Sequence, residues 1–154
     1  MPQEIERKFL LRSLPQQVLG SAAPVRIRQG YLVLEGEVEL RIRHSEDDYY
    51  ISSKHGSGLV REEDGRQIDK DLFEFLWPFT EKRRVEKDRY TVSNNGFTLE
   101  FDYYVGSLAG LVVLEVEFAS VADADAFTMP DYCLQDITND RRYKNAILAE
   151  QGRP

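Results

Sequence analysis

Pairs of like-charged side chains separated by one residue recur along this chain of 154 residues. The pairs include Glu4 with Glu6, Glu115 with Glu117, Arg41 with Arg43, and Lys87 with Arg89. Two carboxylates in a narrow space raise each other's pKa or require a cation. Ligation by oxygen alone suits Mg²⁺ or Mn²⁺, which bridge protein carboxylates to the phosphates of a substrate. The spacing therefore indicates hard-cation and phosphate chemistry.

The candidate site residues divide by charge into two sets. The candidate metal ligands are Glu4, Glu6, Asp102, Glu115 and Glu117. The candidate phosphate-binding residues are Lys8, Arg41, Arg43, Lys54, Lys87 and Arg89. Guanidinium groups match phosphate oxygens with planar pairs of donors, and ammonium groups add point charges. So many cations on one surface indicate a ligand with more than one phosphate.

These residues lie in segments that alternate apolar and polar side chains with a period of two, as β-strands do. The predicted strands, separated by turn signals, are residues 3–11, 25–34, 37–44, 48–54, 59–68, 81–93, 97–105 and 111–119. Short helices are predicted near 13–19, from Asp69 to Pro78, across 120–128 and at the end of the chain. Thr138 is a candidate cap for the last helix and Gly152 a candidate stop.

On each strand the charged side chains share one face, because side chains at positions i and i+2 point the same way. For a single strand, the solvated face of an antiparallel sheet explains this pattern. Over several strands, however, the face is almost wholly Arg, Lys, Glu and Asp, sorted by strand. The sorting favours the inside of a closed barrel that holds a small, highly charged ligand. The apolar faces then point outward under the helices, with Phe73, Phe75, Leu76, Trp77 and Phe79 predicted as helix-to-barrel packing.

Composition excludes several classes of protein. The chain has 27 acidic and 20 basic residues, and its net charge of -7 argues against a general nucleic-acid binder. No stretch reaches the roughly 20 apolar residues of a membrane-spanning helix, and the first residues are too charged for a signal peptide. We therefore expect one domain over residues 1–154, in the cytoplasm, with no membrane partner. Cys133 is the single cysteine, which excludes a disulfide framework and a Cys/His zinc site.

A series of motifs follows the same strands. Glu4-Ile5-Glu6-Arg7-Lys8 has the form ExExK, and Glu39-Leu40-Arg41-Ile42-Arg43, Lys87-Asp88-Arg89-Tyr90 and Glu115-Val116-Glu117 come after it. In this order the motifs resemble those of the CYTH domains, also called triphosphate tunnel metalloenzymes, over almost the whole chain. One departure is Arg61-Glu62-Glu63-Asp64-Gly65, where the family often has a second acid in place of Gly65.

The resemblance implies a mainly β (α+β) fold: an eight-stranded antiparallel closed barrel, or tunnel, with a charged interior, a few short helices and a C-terminal helix. It also implies an enzyme, a metal-dependent inorganic triphosphatase that hydrolyses tripolyphosphate to pyrophosphate and phosphate with Mg²⁺ or Mn²⁺, two ions being expected at turnover. Lys87 and Glu63 are the candidates for the group that takes the proton of the attacking water. The resemblance and the apolar outer face of the barrel favour a homodimer.

Other functions remain compatible with the sequence. Adenylate cyclase and thiamine triphosphatase act on the same scaffold and bind the same triphosphate group. A non-catalytic module that binds phosphate or polyphosphate is an alternative of another class, which the departure at Gly65 supports. The tail residues Arg141, Arg142, Lys144 and Asn145 are expected to close one mouth of the tunnel.

Overall fold

Nine antiparallel strands form one sheet in this computed structural model, which describes residues 2–154. They are β1 (Gln3–Leu11), β2 (Val25–Glu35), β3 (Val38–Ser45), β4 (Asp48–His55), β5 (Val60–Ile68), β6 (Arg84–Asn94), β7 (Phe97–Tyr104), β8 (Val112–Phe118) and β9 (Cys133–Asp136). The strand order is β5-β4-β3-β2-β6-β7-β8-β1-β9, and an additional pairing of β5 with β1 closes the first eight strands into a barrel. The predicted barrel is confirmed, with all eight strand boundaries within three residues.

Strand β1 closes the barrel by pairing with three strands along its length. Its first residues pair with β5, where Glu4 lies opposite Arg61, and residues 5–11 pair with β8 on the other edge. Where β5 leaves β1, strand β9 pairs with residues 9–11 instead. The sequence pattern does not predict strand β9, because a segment of four residues is too short to show alternation. This ninth strand covers an edge of β1 that β5 leaves open.

Short helices cover the outer face of β1, β7 and β8. Helices α1 (Gln16–Leu19) and α3 (Val121–Ala126) pack over an apolar cluster in which Phe9, Phe101 and Leu114 are completely buried. Ser120 caps α3, because its hydroxyl accepts a hydrogen bond of 3.0 Å from the backbone N–H of Asp123. Apolar side chains therefore point outward from these strands, as the alternation predicted.

Helix α2 (Lys70–Leu76) packs on the barrel through only one of its faces. Phe73 is completely buried, which confirms its predicted packing against the barrel. For Phe75 and Phe79 the same prediction is wrong, because their side chains are 68% and 60% exposed. Phe75 lies about half a helical turn away from Phe73, and its ring contacts that of Phe79 instead of the core.

The 3₁₀ helix Trp77–Thr80 follows α2 and approaches β2 closely at Gly30. A Cβ atom on Gly30 would lie 2.5 Å from the hydroxyl oxygen of Thr80, which is completely buried. Glycine is therefore required at this position for the turn to reach the barrel wall. This contact fixes the place of Trp77 beside the barrel.

One end of the barrel interior is apolar. Val85, Tyr104 and Val113 are buried there against Leu148 of α4 (Asn145–Gln151). Helix α4 thus lies at the end of the barrel where β1 and β7 end and β6 and β8 begin. It ends at Gly152, as predicted, where φ is 82°. None of the helices in residues 2–154 has both the length and the apolar character needed to cross a membrane.

The predicted cap of the last helix is wrong. Lys144, not Thr138, precedes α4. The hydroxyl of Thr138 instead accepts a hydrogen bond of 3.0 Å from the backbone N–H of Lys8 and donates one of 2.6 Å to Asp136. Thr138 therefore continues the contact of β9 with β1, because its side chain replaces the next backbone partner.

Candidate active site

The charged faces of the strands enclose a cavity of about 250 Å³ inside the barrel. Most predicted site residues line it: Glu4, Glu6, Lys8, Arg41, Arg43, Lys54, Glu63, Arg89, Glu115 and Glu117. Lys87 and Asp102 do not line it and are completely buried. Alternation along the strands therefore predicted correctly which side chains point into the barrel. It did not predict how far each of them lies along the barrel axis, which only the structure shows.

Several lining residues were not among the predicted site residues. On the strands these are Tyr31, Glu39, Arg61 and Glu100. For two of them the sequence indicated the inner face, because Arg61 lies two residues before Glu63 and Glu100 lies two residues before Asp102. From the tail, Ile137, Thr138, Asp140, Tyr143, Lys144 and Asn145 also reach the cavity. A place at one mouth of the tunnel was expected for Lys144 and Asn145, but no periodic pattern predicts the positions of the other tail residues.

Arg89 is the centre of a buried ion-pair network. Its guanidinium lies 2.7 Å from Asp102, 2.8 Å from Glu115 and 3.0 Å from Glu100. Burial opposes ionisation of Asp102, but Arg89 and Lys87 outweigh it and lower the pKa of that carboxyl. The protein therefore neutralises the charge of Arg89 itself, and an anion in the cavity has to compete with these carboxylates.

Lys87 lies behind the lining, against the same network. Its ammonium is 2.7 Å from Oδ2 of Asp102, although their relative orientation is not that of a hydrogen bond. Burial lowers the pKa of Lys87 to about 8, despite the opposing charges of Asp102 and Glu115. Lys87 therefore exchanges its proton more readily than an exposed lysine does.

Arg43 is the least neutralised cation of the lining. Arg43 donates from Nε and Nη2 to Oε1 of Gln29, at 2.9 and 2.7 Å, and Gln29 brings no charge. Burial, followed by the charges of Arg41 and Arg89, lowers the pKa of Arg43 to about 10. The neighbouring Arg41 donates to the hydroxyl of Ser52 at 3.1 Å and lies 3.5 Å from Glu63. Arg43 is therefore the strongest attraction for an anion, whereas the charge of Arg41 is partly neutralised by Glu63.

Acidic residues are in excess on the wall formed by β1 and β8. Glu6 lies opposite Glu117 and one step from Glu115, and no basic side chain among residues 2–154 forms an ion pair with Glu6. Burial, then the charges of Glu115 and Glu4, raise the pKa of Glu6 to about 8. A carboxyl in this position holds a proton or requires a cation.

A second pair of carboxyls, Glu4 and Glu63, lies on either side of Lys54. Lys54 contacts both, at 2.9 and 3.3 Å. Burial raises the pKa of Glu4. Although burial acts on Glu63 in the same direction, its hydrogen bond to Glu4 and the charges of Lys54 and Arg41 lower its pKa to about 2. The two carboxyls therefore differ in acidity, with Glu63 the more acidic.

The acidic residues fit a hard cation by their chemistry. All the predicted ligands offer oxygen atoms, the donors that Mg²⁺ and Mn²⁺ prefer. Glu6, in addition, has no basic side chain in the described part of the chain to neutralise it. Within residues 2–154 no three Asp, Glu, His or Cys side chains are already arranged as a metal site. Metal binding at these carboxylates therefore stays a prediction.

The tail lies across one end of the cavity. Lys144 is 3.7 Å from Glu37 and 3.9 Å from Glu39, and Asn145 accepts a hydrogen bond from the hydroxyl of Tyr104. Lys144 and Asn145 thus help to close this end, as expected. For Arg141 and Arg142 that expectation is wrong, since both are exposed and pair with Glu37 and Asp140 respectively.

Gly65 lies on the inner face opposite Ser52. A Cβ atom there would make ordinary contacts, 3.4 Å from Cβ of Ser52 and 3.6 Å from the carbonyl oxygen of Ile51. The wall thus has space for a side chain at residue 65, and this part of it is uncharged. A closed antiparallel barrel whose cavity holds the guanidinium of Arg43, unpaired within residues 2–154, together with excess carboxylates has the form of a tunnel protein suited to polyanions.

Comparisons with known proteins agree with that class. The inorganic triphosphatase of Nitrosomonas europaea is 44% identical over 148 residues, which cover 95% of this chain and 96% of that protein. The inorganic triphosphatase of Acetivibrio thermocellus is 34% identical over 97% of this chain and 95% of its own. A crystal structure of an inorganic triphosphatase matches with a TM-score of 0.73 and 40% identity, over 100% of this chain and 99% of that one. No family model matches the chain.

The chain belongs to the inorganic triphosphatase family. The resemblance to the triphosphate tunnel metalloenzymes, which the order of motifs indicated, is confirmed. Both curated relatives align with nearly the whole chain.

Glu6→Gln is expected to stabilise the metal-free protein at pH 9 and to change it little at pH 4. The pKa of Glu6 rises from 4.5 to about 8 on folding, so its contribution to stability is complete below pH 4.5 and is lost as the pH rises through 8. We expect a gain of roughly 1–3 kcal/mol at pH 9, less than the full pKa shift would give because water enters the cavity. Urea unfolding in the presence of chelator measures it.

The matched control is Glu62→Gln, on the neighbouring strand β5, where the side chain is exposed. It is expected to leave the unfolding free energy nearly unchanged at both pH values. If Glu6→Gln stabilised the protein equally at pH 4 and pH 9, the assignment of an uncompensated carboxyl at Glu6 would be wrong.

Proposed function

We propose that this protein hydrolyses inorganic tripolyphosphate to pyrophosphate and phosphate inside the barrel, with a divalent metal. The observation that carries the proposal is the cavity in which Arg43, which forms no ion pair among residues 2–154, and the adjacent Arg41 share one space with the excess carboxylates around Glu6. A polyphosphate needs the first group, and its cation needs the second. The activity named for both curated relatives supports the same reaction.

The lining also favours an inorganic substrate. Ile137 is its only aliphatic side chain among the described residues, and Tyr31 and Tyr143 are its only aromatic ones. A nucleoside or a thiamine group would need apolar or stacking surface in addition to the cations. In about 250 Å³ of almost wholly charged space, a chain of phosphates fits better than either organic group.

The basic residues bind and orient the phosphates in this proposal. Arg41 and Arg43 present planar pairs of donors, while Lys54 on the neighbouring strand β4 and Lys8 on β1 add point charges. Arg89 contributes less, because three carboxylates already hold it. Asp102 and Lys87 stay behind the lining and keep Arg89 in position.

The acidic residues Glu4, Glu6, Glu115 and Glu117 would hold Mg²⁺ or Mn²⁺, with two ions at turnover. Such an ion polarises a phosphoryl oxygen and lowers the pKa of a bound water. Asp102 was a candidate ligand too, but its contacts with Arg89 and Lys87 favour a supporting role.

Two residues are candidates for the group that accepts the proton of the attacking water. Glu63 lines the cavity, whereas Lys87 is completely buried. Lys87 has the more suitable pKa, about 8 compared with about 2 for Glu63. Access to the cavity favours Glu63 and the pKa favours Lys87, so both residues stay candidates.

The cytoplasmic location is also a prediction.

Phosphate release from tripolyphosphate is expected with Mg²⁺ or Mn²⁺ and is expected to disappear with chelator. Tripolyphosphate, ATP, thiamine triphosphate and pyrophosphate should be compared at equal concentration, with cyclic AMP followed in the ATP sample. Cyclic AMP formation, or faster release from thiamine triphosphate, would replace the proposed reaction by that of a cyclase or a thiamine triphosphatase. Tight binding of tripolyphosphate without any release would identify a binding module.

Arg43→Gln is expected to raise the KM for tripolyphosphate by roughly 10- to 100-fold, because a buried charge-assisted contact contributes about 1.5–3 kcal/mol. Steady-state phosphate release measures it. The control is Arg66→Gln on β5, whose exposed guanidinium pairs with Asp64 outside the cavity. An unchanged KM in Arg43→Gln, in protein whose thermal midpoint shows that it is folded, would contradict the binding role.

We also propose a homodimer, formed through the apolar surface that α2 leaves exposed. Leu72, Phe75 and Phe79 are 42%, 68% and 60% exposed, and acidic and basic residues flank them on the same segment. A second copy packed symmetrically on this segment would cover the exposed rings. Light scattering is expected to give twice 17.8 kDa for the native chain and 17.8 kDa for Phe75→Glu. A native mass of 17.8 kDa would exclude the dimer.

A further inference from the structure

A second cavity, of about 270 Å³, lies outside the charged interior, between Trp77 and the loop that joins β7 to β8. Its lining includes Arg28, Trp77, Arg84 and Glu86, together with residues 105–108. The lining of the barrel cavity contains none of these residues. The chemistry of this cleft is therefore not part of the proposed triphosphatase site.

The cleft has a rigid aromatic wall. The indole of Trp77 stacks on the buried ring of Phe73, with 5.2 Å between centroids and 23° between planes. The close contact of Thr80 with Gly30 fixes the turn that carries Trp77. The indole is therefore held in place before any ligand binds.

Arg84 is fixed beside this indole by neutral partners. Its Nε donates to the hydroxyl of Thr80 at 2.9 Å, and its Nη2 donates to the carbonyl oxygen of Trp77 at 2.8 Å. The guanidinium lies 4.2 Å from the centroid of the indole. Since a guanidinium has five N–H donors, most of the donors of Arg84 are left without a partner among residues 2–154.

Arg28 brings a second guanidinium, 4.6 Å from the same indole centroid. Within residues 2–154 it forms no hydrogen bond and no ion pair. Its cross-strand neighbour on β6 is Glu86, but that carboxylate is engaged by Arg26 at 3.0 Å. Glu86 therefore lines the same cleft but is paired with Arg26, which leaves Arg28 without an ion pair of its own among the described residues.

Two cations close to one aromatic ring repel each other unless an anion joins them. Burial and the charge of Arg28 lower the pKa of Arg84, while Glu81 acts in the opposite direction. Although the chain has a net charge of -7, no carboxylate among residues 2–154 forms an ion pair with Arg28 or Arg84. Planar guanidinium donors match the oxygens of a phosphate group. We propose that Arg28, Arg84 and Trp77 form a second anion site, which binds the phosphate group of inorganic phosphate or of a small phosphomonoester.

Tryptophan fluorescence provides a local test, because Trp77 is the only tryptophan of the chain. The full chain is titrated with inorganic phosphate and, separately, with phenyl phosphate, in chelator and at an ionic strength kept constant with sodium chloride. A saturable change of emission is expected with at least one of them. Tighter binding of phenyl phosphate assigns the site to phosphomonoesters, and tighter binding of phosphate assigns it to the free ion.

Arg28→Gln is expected to raise the dissociation constant at least tenfold without changing the unfolding midpoint, because Arg28 donates no hydrogen bond to the protein. Arg84→Lys provides a second variant with the same expected direction, since lysine keeps the charge but loses the planar donors. Arg66→Gln, an exposed arginine on β5, is the matched control and should bind as the native chain does. Arg43→Gln, inside the barrel, should also keep the fluorescence change.

The proposal is overturned if neither probe gives a saturable change in the native chain. It is also overturned if Arg28→Gln and Arg84→Lys bind as tightly as the native chain, or if Arg43→Gln alone abolishes the change. That last result would place the anion inside the barrel. Tripolyphosphate turnover does not enter this test, so the two proposals succeed or fail separately.

Discussion

Charged side chains inside a barrel have to be neutralised by neighbouring side chains or by a bound ligand, and the rest of this structure depends on that constraint. Alternation along the strands directs both acids and bases into one enclosed space, where an unpaired charge is costly. Most of them cancel within the protein, above all around Arg89. Those that do not cancel, Arg43 on one wall and Glu6 on another, are what a ligand and its cation encounter. The charges available to a ligand are therefore the few that no neighbouring side chain neutralises, and the total number of charges matters less.

Much of this arrangement could be predicted from the sequence. A period of two assigned the eight barrel strands and placed residues such as Glu4, Lys8 and Arg41 on the inner face, because alternation leaves no other choice once one face is buried. The same rule does not give depth along the barrel axis. Lys87 and Arg89 share a face, yet Arg89 reaches the cavity and Lys87 is completely buried.

Other features lack any local signal. Strand β9 and the tail are positioned by contacts with β1 and with the far end of the barrel, and their own sequences are not periodic. The apolar end of the interior was hidden because β8 reads as apolar on both faces near Val112 and Val113. The choice of ion-pair partners is also a property of three dimensions, since Glu100, Asp102 and Glu115 meet at Arg89 from two strands.

The pairing of β1 has a consequence for how the chain reaches its native state. This strand, the first of the chain, joins β8 and β9, with partners more than one hundred residues away, as well as β5. Contacts of such long range slow folding, because the chain between them loses its freedom before the contact forms. During synthesis the barrel is unable to close until β8 has left the ribosome. The nascent chain therefore carries its charged faces open to water for most of translation, where each charge stays hydrated until the barrel closes.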